Sequence, residues 1–351
     1  MARSKALSSF SLLSYSAIRK PARKPPGNNQ VEEKKMKTFM YAGAVALAGM
    51  GSMAVADSHE TIVIGISIPA ATHGWAGGMN FHAQEAVARL EAVYPGLDFV
   101  LATASDPAKQ VNDIEDMVAT RGISALVVLP FESEPLTSPV QAVADAGIWV
   151  TVVDRGLSVE GIEDLYVAGD NEGFGTVSGE FMVSAMPDGG NIVVLRGIPT
   201  TIDNMRVAGF EAAIEGSGIE VLAMEHGNWN RDDSFTVMQD FLSKYPQIDA
   251  VWASDDDMAI GVLAAIEAAS RDDVQFVLGG AGMKEMIARV RDGDPMMPAD
   301  VTYPPSMIAT AIELTAVGMT STAPVSGTFT IGSVLVTPDN AADFYFEDSP
   351  F

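Results

Sequence analysis

Three adjacent carboxylates, Asp255, Asp256 and Asp257, stand between the apolar run AVWA (250–253) and the apolar segment MAIGVLAAI (258–266). Like charges so close disfavour one another's ionisation, so the pattern must serve a helix cap, a metal, an acid–base pair or a polar ligand at the end of a strand. The D-x-D-x-D-G spacing of a calcium loop is absent. The four histidines, His59, His73, His82 and His226, lack HExxH spacing. With no cysteine in the chain, disulfides, thiolate metal sites and thiol nucleophiles are excluded. No G-x-S-x-G turn, Walker loop or nucleophile–base pair occurs. The glycine-rich stretches GDNEGFGTVSG (169–179) and GGAGMK (279–284) miss the dinucleotide spacing and are expected to be tight strand-to-helix turns. Ligand binding is what remains. Asp255, the first acid after the strand, is expected to reach the ligand, while Asp256 or Asp257 caps the following helix.

The same arrangement recurs along the chain. His73 and Trp75 follow TIVIGISI (61–68), Ser105 and Asp106 follow LDFVLAT (97–103), Glu132 follows ALVVL (125–129), and Asp154-Arg155 follow IWVTVV (148–153). After LYVAG (165–169), Asp203 and Asn204 follow NIVVL (191–195), and Trp229 follows IEVLAM (219–224); VQFVL (274–278) completes the series. Between these runs lie segments apolar at i, i+3 and i+4, such as NFHAQEAVARLEAV and MQDFLSKY. Continuous apolar strands alternating with helices predict an α/β protein of doubly wound parallel sheets. ETIVIGISIPAATHGW (60–75) is echoed by GNIVVLRGIPTTIDNM (190–205), which predicts two similar lobes with a boundary near residue 170. Ligands of open parallel sheets bind beyond the carboxyl ends of the strands. Two such edges carrying acids, an arginine and tryptophans suit a neutral polyhydroxylated ligand, with carboxylates and guanidinium on the hydroxyls and indole faces on the C–H groups.

The chain has 351 residues, 48% of them hydrophobic, and a formal charge of −25. So acidic a surface argues against nucleic acid as a partner. Residues 36–56 read as a secretory signal: KKMK, then about 12 apolar residues, too few to span a bilayer, then AVA before Asp57. Cleavage is expected after Ala56 and the product in the periplasm. Residues 1–35 are an extension without apolar periodicity, and Met36 is the expected start. Residues 1–56 hold nine of the 21 bases and two of the 46 acids, so the remainder carries a formal −32.

Taken together, ASDPAKQVNDIEDMVATRGISALVVLP, VTVVDRG, VAGDNEGFG, VLRGIPTTIDNMRVAGF, NWNRDDSFTVMQDFL, AVWASDDDMAIGVLAAI and VLGGAGMK make the chain resemble periplasmic sugar-binding proteins of the ribose-binding type, over nearly all of residues 60–345. The same fold serves sugar-responsive repressors, but a signal peptide stands here in place of their DNA-binding helices. The resemblance implies two doubly wound lobes that close on ligand by hinge motion. Three crossovers would lie near Gly169-Asp170, Thr302-Tyr303 and Ser333. The lobes would be 57–169 plus 303–332 and 170–302 plus 333–351, with the tail NAADFYFEDSPF packed across the back of a lobe. The implied ligand contacts are His73 and Trp75, where the family has Asn and Phe; Asp106, for an Asn; Asp154 and Arg155, matching an Asp-Arg pair; Asn204, replacing an Arg; Trp229, replacing a stacking Phe; and Asp255, for an Asn. Ser67, Glu132, Asp203, Arg231, Ala281 and Thr302 complete the set at its edge. Gly280-Ala281 stands where the family carries Phe-Asp, so a different pentose, a hexose or a linear polyol is expected rather than ribose. The implied function is capture of a monosaccharide or polyol and delivery to the membrane permease of an ABC importer, by a monomer without cofactor or catalysis. Presentation of the ligand to a chemoreceptor or histidine kinase is the alternative; a carbohydrate enzyme using Asp154 and Asp255 is a third.

Overall fold

The computed structural model describes residues 61–71, 74–323 and 325–351. The signal-like segment, its cleavage point and His73 lie outside the described residues. Each of the nine apolar runs forms a strand whose bounds differ from the expected ones by no more than two residues. The first lobe runs β1 (Ile62–Pro69), α1 (Gly74–Val93), β2 (Leu97–Ala104), α2 (Pro107–Asp116) continued by a π-helical turn (Met117–Arg121), β3 (Ala125–Val128), α3 (Ser133–Asp145), β4 (Trp149–Val153) and β5 (Leu165–Gly169). The second runs α4 (Asn171–Ala185), β6 (Gly190–Arg196), α5 (Thr201–Ile214), β7 (Ile219–His226), α6 (Arg231–Lys244), β8 (Ala250–Ala253), α7 (Asp256–Ala269), β9 (Phe276–Leu278), α8 (Lys284–Arg291) and β10 (Asp300–Val301). The chain then continues with α9 (Met307–Thr320), β11 (Gly327–Ile331), which pairs with β5, β12 (Leu335–Val336), which pairs with β10, and α10 (Ala341–Phe344).

The first sheet has the order β2-β1-β3-β4-β5-β11 and the second β7-β6-β8-β9, every pairing parallel. Both faces are covered by helices, so β3 and β8 are buried along their whole length and need apolar residues at every position. In the second lobe Trp252 stacks on Phe210 with ring centroids 3.9 Å apart. Strands β10, β11 and β12 carry no continuous apolar run: β10 and β12 form a two-residue antiparallel ladder, and β11 is an exposed sheet edge.

Three segments run side by side where the lobes join. Asp170 N–H donates to the Ile331 carbonyl (2.9 Å) and Thr302 N–H to the Val334 carbonyl (2.9 Å). Ser333 Oγ donates to the Asp170 carbonyl (3.3 Å).

Two expectations need correction. The strand-to-helix turn expected over 169–179 is confined to Asp170, between β5 and α4, and Gly173, Gly175 and Gly179 lie inside α4. A Cβ on Gly175 would stand 1.9 Å from the Arg206 carbonyl oxygen, so glycine here lets α5 lie directly on α4. The C-terminal segment does not lie across the back of a lobe. Lys284 Nζ on α8 holds the carbonyls of Glu347 (3.1 Å) and Ser349 (2.6 Å), and buried Phe351 packs beside Gly74 and Gly78 of α1. An aromatic-rich tail has apolar area to bury, and the junction of α1 with the crossover at Pro305 receives it.

Candidate functional site

A cavity opens where the carboxyl ends of the two sheets face each other. Its empty volume is about 420 Å³, counting space open to solvent. The first lobe contributes Trp75, Asp154 and Arg155, and the second Ile202, Arg206, Trp229, Asp255 and Ala281. Tyr303, on the crossover after β10, lies between them.

Asp154 leaves β4 with φ +56°. This left-handed backbone is unusual outside glycine but most accessible to Asp and Asn, and it turns the carboxylate inward. Oδ1 accepts from Tyr303 Oη at 2.5 Å, and the Asp154 carbonyl accepts from Tyr166 Oη at 2.5 Å. Arg155 follows. Its Nη1 donates to the carbonyls of Phe131 and Pro130, while Nε is buried without a partner among the described residues.

Arg206 is one of three lining residues that the sequence reading missed, with Ile202 and Tyr303. It is 4% exposed. Nε donates to Asn171 Oδ1 (2.9 Å) and Nη1 to the Ser254 carbonyl (2.8 Å). The guanidinium carbon lies 4.4 Å from the ring centres of Phe174 and Tyr303 and 5.9 Å from that of Trp229, within cation–π range. The signal was present: Ile202, Arg206 and Phe210 are spaced i, i+4, i+8, so an arginine occupies the apolar stripe of α5. Asn204, two positions earlier, falls on the opposite side of the helix. It is exposed, accepts from Arg196 Nη2 at 2.7 Å and does not line the cavity.

Trp229 is reached through two consecutive left-handed residues, Asn228 (φ +59°) and Trp229 itself (φ +52°). Such strain persists only where the surroundings impose it. Gly197 makes room for the ring that results, since a Cβ there would lie 2.1 Å from the indole. Gly280 similarly seats the ring of Phe174, 2.2 Å from its would-be Cβ.

The three aspartates divide differently from the expectation. Asp255, not Asp256 or Asp257, caps α7, accepting from Met258 N–H at 3.3 Å, and it lines the cavity as well. Burial, then the neighbouring Asp257, pushes its carboxyl up to about 7, and Arg206 works against that rise. Asp256 turns away and accepts the N–H groups of Gly280 (2.9 Å), Gly282 (3.1 Å) and Met283 (2.7 Å), fixing the loop that carries Ala281. Burial, then Asp300, raises Asp256 well above the usual carboxylate range, and burial raises Asp300 to about 7. Asp257 spans the lobes: Oδ2 accepts Gly74 N–H (3.1 Å) and Oδ1 accepts Arg231 Nη2 (2.8 Å).

Several other expected residues stand apart from the cavity. Asp106 is exposed and caps α2, accepting from Lys109 N–H at 2.8 Å. Glu132 is exposed at the start of α3. Asp203 is buried and accepts from Gly197 N–H (2.8 Å) and Arg196 (2.6 Å), so it pins the β6–α5 turn. Thr302 Oγ1 accepts from Val334 N–H (2.9 Å) at the lobe junction, and Ser67 is buried in β1. Among the described residues no group of three or more His, Cys, Asp or Glu could hold a metal, and no helix is long and apolar enough to cross a membrane.

Comparison with known proteins agrees with this architecture. Residues 64–317 match the family model of the periplasmic binding protein domain. The D-ribose/D-allose-binding protein of Pseudomonas aeruginosa is 28% identical over 229 residues, 64% of this chain and 70% of that protein. The ribose import binding protein of Bacillus subtilis is 30% identical over 220 residues, 62% of this chain and 70% of that protein. An ABC transporter solute-binding protein from Mycobacterium smegmatis, solved with bound glycerol, has a TM-score of 0.73 at 29% identity, covering 82% of this chain and 98% of that one. One from Bacillus halodurans, solved with myo-inositol, has a TM-score of 0.72 at 24% identity, covering 82% and 99%; that likeness concerns the fold. The chain belongs to the periplasmic binding protein family, whose members bind substrates for transport.

Proposed function

We propose, from membership in this family, that the chain is an exported solute-binding protein that captures a neutral monosaccharide or polyol between its lobes and delivers it to the permease of an ABC importer. One observation carries the choice of ligand: the cavity holds two carboxylates and two guanidinium groups, Asp154 with Arg155 on one wall and Asp255 with Arg206 on the other. With Asp255 ionised their formal charges cancel, so an ionic ligand would leave a buried charge unpaired. Hydroxyl groups, which donate to carboxylates and accept from guanidinium, satisfy both kinds of wall. The indoles of Trp75 and Trp229 offer apolar faces for C–H groups. Relatives named for ribose, allose and xylitol, and the glycerol-bound structure, belong to the same chemical class.

The ligand contacts are proposed to be Trp75, Asp154, Arg155, Arg206, Trp229, Asp255 and Tyr303. The lobes are 57–169 plus 303–332 and 170–302 plus 333–351, and the signal is cleaved after Ala56. A ligand stabilises the closed form only through contacts that it makes with both walls, and Arg155 and Arg206 are proposed to supply one such contact from each wall. The test is a thermal-shift screen of the purified protein against pentoses, hexoses and polyols, with amino acids and sugar acids as charged solutes. A ligand at 100 times its dissociation constant adds about 2.7 kcal/mol, a midpoint rise of several degrees. A rise with a neutral sugar or polyol supports the proposal; a rise only with charged solutes refutes it.

A further inference from the structure

Resting on that reading of the cavity, we propose that Tyr303 is a size filter: its ring closes the floor of the site so that an acyclic polyol or a pentose enters and a hexopyranose or a cyclitol does not. Tyr303 is 3% exposed and stands where both lobes meet the crossover. Its ring fills a space that Gly169 leaves open, since a Cβ on Gly169 would lie 2.1 Å from Tyr303 Cε2. The Arg206 guanidinium lies 4.4 Å from its centre. Phe174 meets it edge-on at 6.2 Å, and Trp75 lies 6.1 Å away, tilted by 35°. The backbone is held too: Tyr303 N–H donates to the Ala281 carbonyl (3.2 Å), and its own carbonyl accepts from Trp75 Nε1 (2.9 Å).

The hydroxyl is engaged as donor and as acceptor. It donates to Asp154 Oδ1 at 2.5 Å and accepts from Asn171 Nδ2 at 3.0 Å. Burial holds it well above the usual tyrosine range, so it remains a neutral donor. Tyr303 therefore acts as a wall, and it occupies one Asp154 oxygen that a ligand hydroxyl would otherwise use. Fewer hydroxyls can be bonded, in a smaller space.

The experiment is titration calorimetry of xylitol, D-ribose, D-glucose and myo-inositol into the wild type, Tyr303→Phe and Tyr303→Ala. The wild type is expected to bind xylitol or ribose about tenfold or more tighter than glucose and myo-inositol, a step within reach of small changes in pocket volume. Tyr303→Phe keeps the ring, so it is expected to change affinity and keep the preference. Tyr303→Ala opens the floor and is expected to reduce the preference by about tenfold. Six-carbon rings bound by the wild type as tightly as five-carbon ligands would overturn the filter without any variant. An unchanged ranking in folded Tyr303→Ala would overturn it while leaving the polyol site intact. No heat from any of the four with folded wild type would overturn the reading of the cavity, and the filter with it.

Discussion

Each wall of the cleft presents an arginine, and the two are held differently. Arg206 sits among three rings with Nε and Nη1 already bonded inside its own lobe. Arg155 is tied by Nη1 to two loop carbonyls, and its Nε is buried without a partner among the described residues. Arg206 is thus part of the second lobe's structure, whereas Arg155 has bonding capacity left over. A wall ordered in advance lowers the entropic cost of binding, and a wall with spare donors gains most from the ligand. The comparison predicts that stability and affinity separate between the two arginines.

The largest effect belongs to Arg206→Ala, which leaves the Asn171 amide oxygen and the Ser254 carbonyl without their donor and removes the positive charge beside buried Asp255. A loss on the order of 3–5 kcal/mol of folding stability, measured by denaturant titration, and loss of ligand binding are expected. Lysine should not rescue it, because an ammonium cannot reproduce the planar fork. A folded Arg206→Ala that still binds would break the comparison. Next comes Arg155→Ala, where binding should weaken by about 10–100-fold, in line with the roughly 1.5–3 kcal/mol of a charge-assisted hydrogen bond, while the melting temperature changes little. Equal losses of stability in both variants would show that the walls are alike.

The second wall also carries the titration. Asp255 and Asp300 are raised to about 7 and Asp256 is raised as well, whereas the unfolded chain releases these protons near pH 4. The folded state therefore holds protons that the unfolded state lacks, so this contribution is fully present near pH 4 and is lost as pH rises through 7. The ligand-free melting temperature should fall between pH 5 and pH 8, and the fall should be shallower in Asp300→Asn. His82, lowered mainly by burial, opposes this trend. A midpoint that rises over that window would contradict the assignment. The smallest effect is expected for Asp257→Asn, which weakens the link from Arg231 through Asp257 to Gly74. Arg231 is half-exposed, so the pair is worth at most about 1 kcal/mol. A few-fold loss of affinity without loss of lobe stability would mark the link as acting between the walls.

The strands were legible because burial on both faces demands unbroken apolar runs, as in ALVV and AVWA. The short ladders of β10 and β12 and the exposed edge β11 impose no such demand. Trp75, Asp154, Arg155, Trp229, Asp255 and Ala281 were found because each follows a strand. The rule of looking past the strand fails in two ways. A residue there can cap the next helix instead of facing the crevice, as Asp106 does, and Asp255 does both. Conversely, Ile202 and Arg206 reach the cavity from inside a helix, and Tyr303 from a crossover after β10, a two-residue strand with no apolar run to advertise it. The resemblance set Asn204 where the family has an arginine, whereas helical phase turns Arg206, two residues on, toward the cavity.

Three aromatic rings around the cleft sit in seats cut by glycine: Tyr303 by Gly169, Trp229 by Gly197, and Phe174 by Gly280. The consequence is evolutionary. A ring and its glycine form one heritable unit, because the glycine has no steric reason to persist once the ring is gone. The backbone of both sheets can stay fixed while the shape of the cleft drifts ring by ring. Among relatives, positions 169 and 303 are expected to change together, and the lineages that relax both are where larger ligands should be sought.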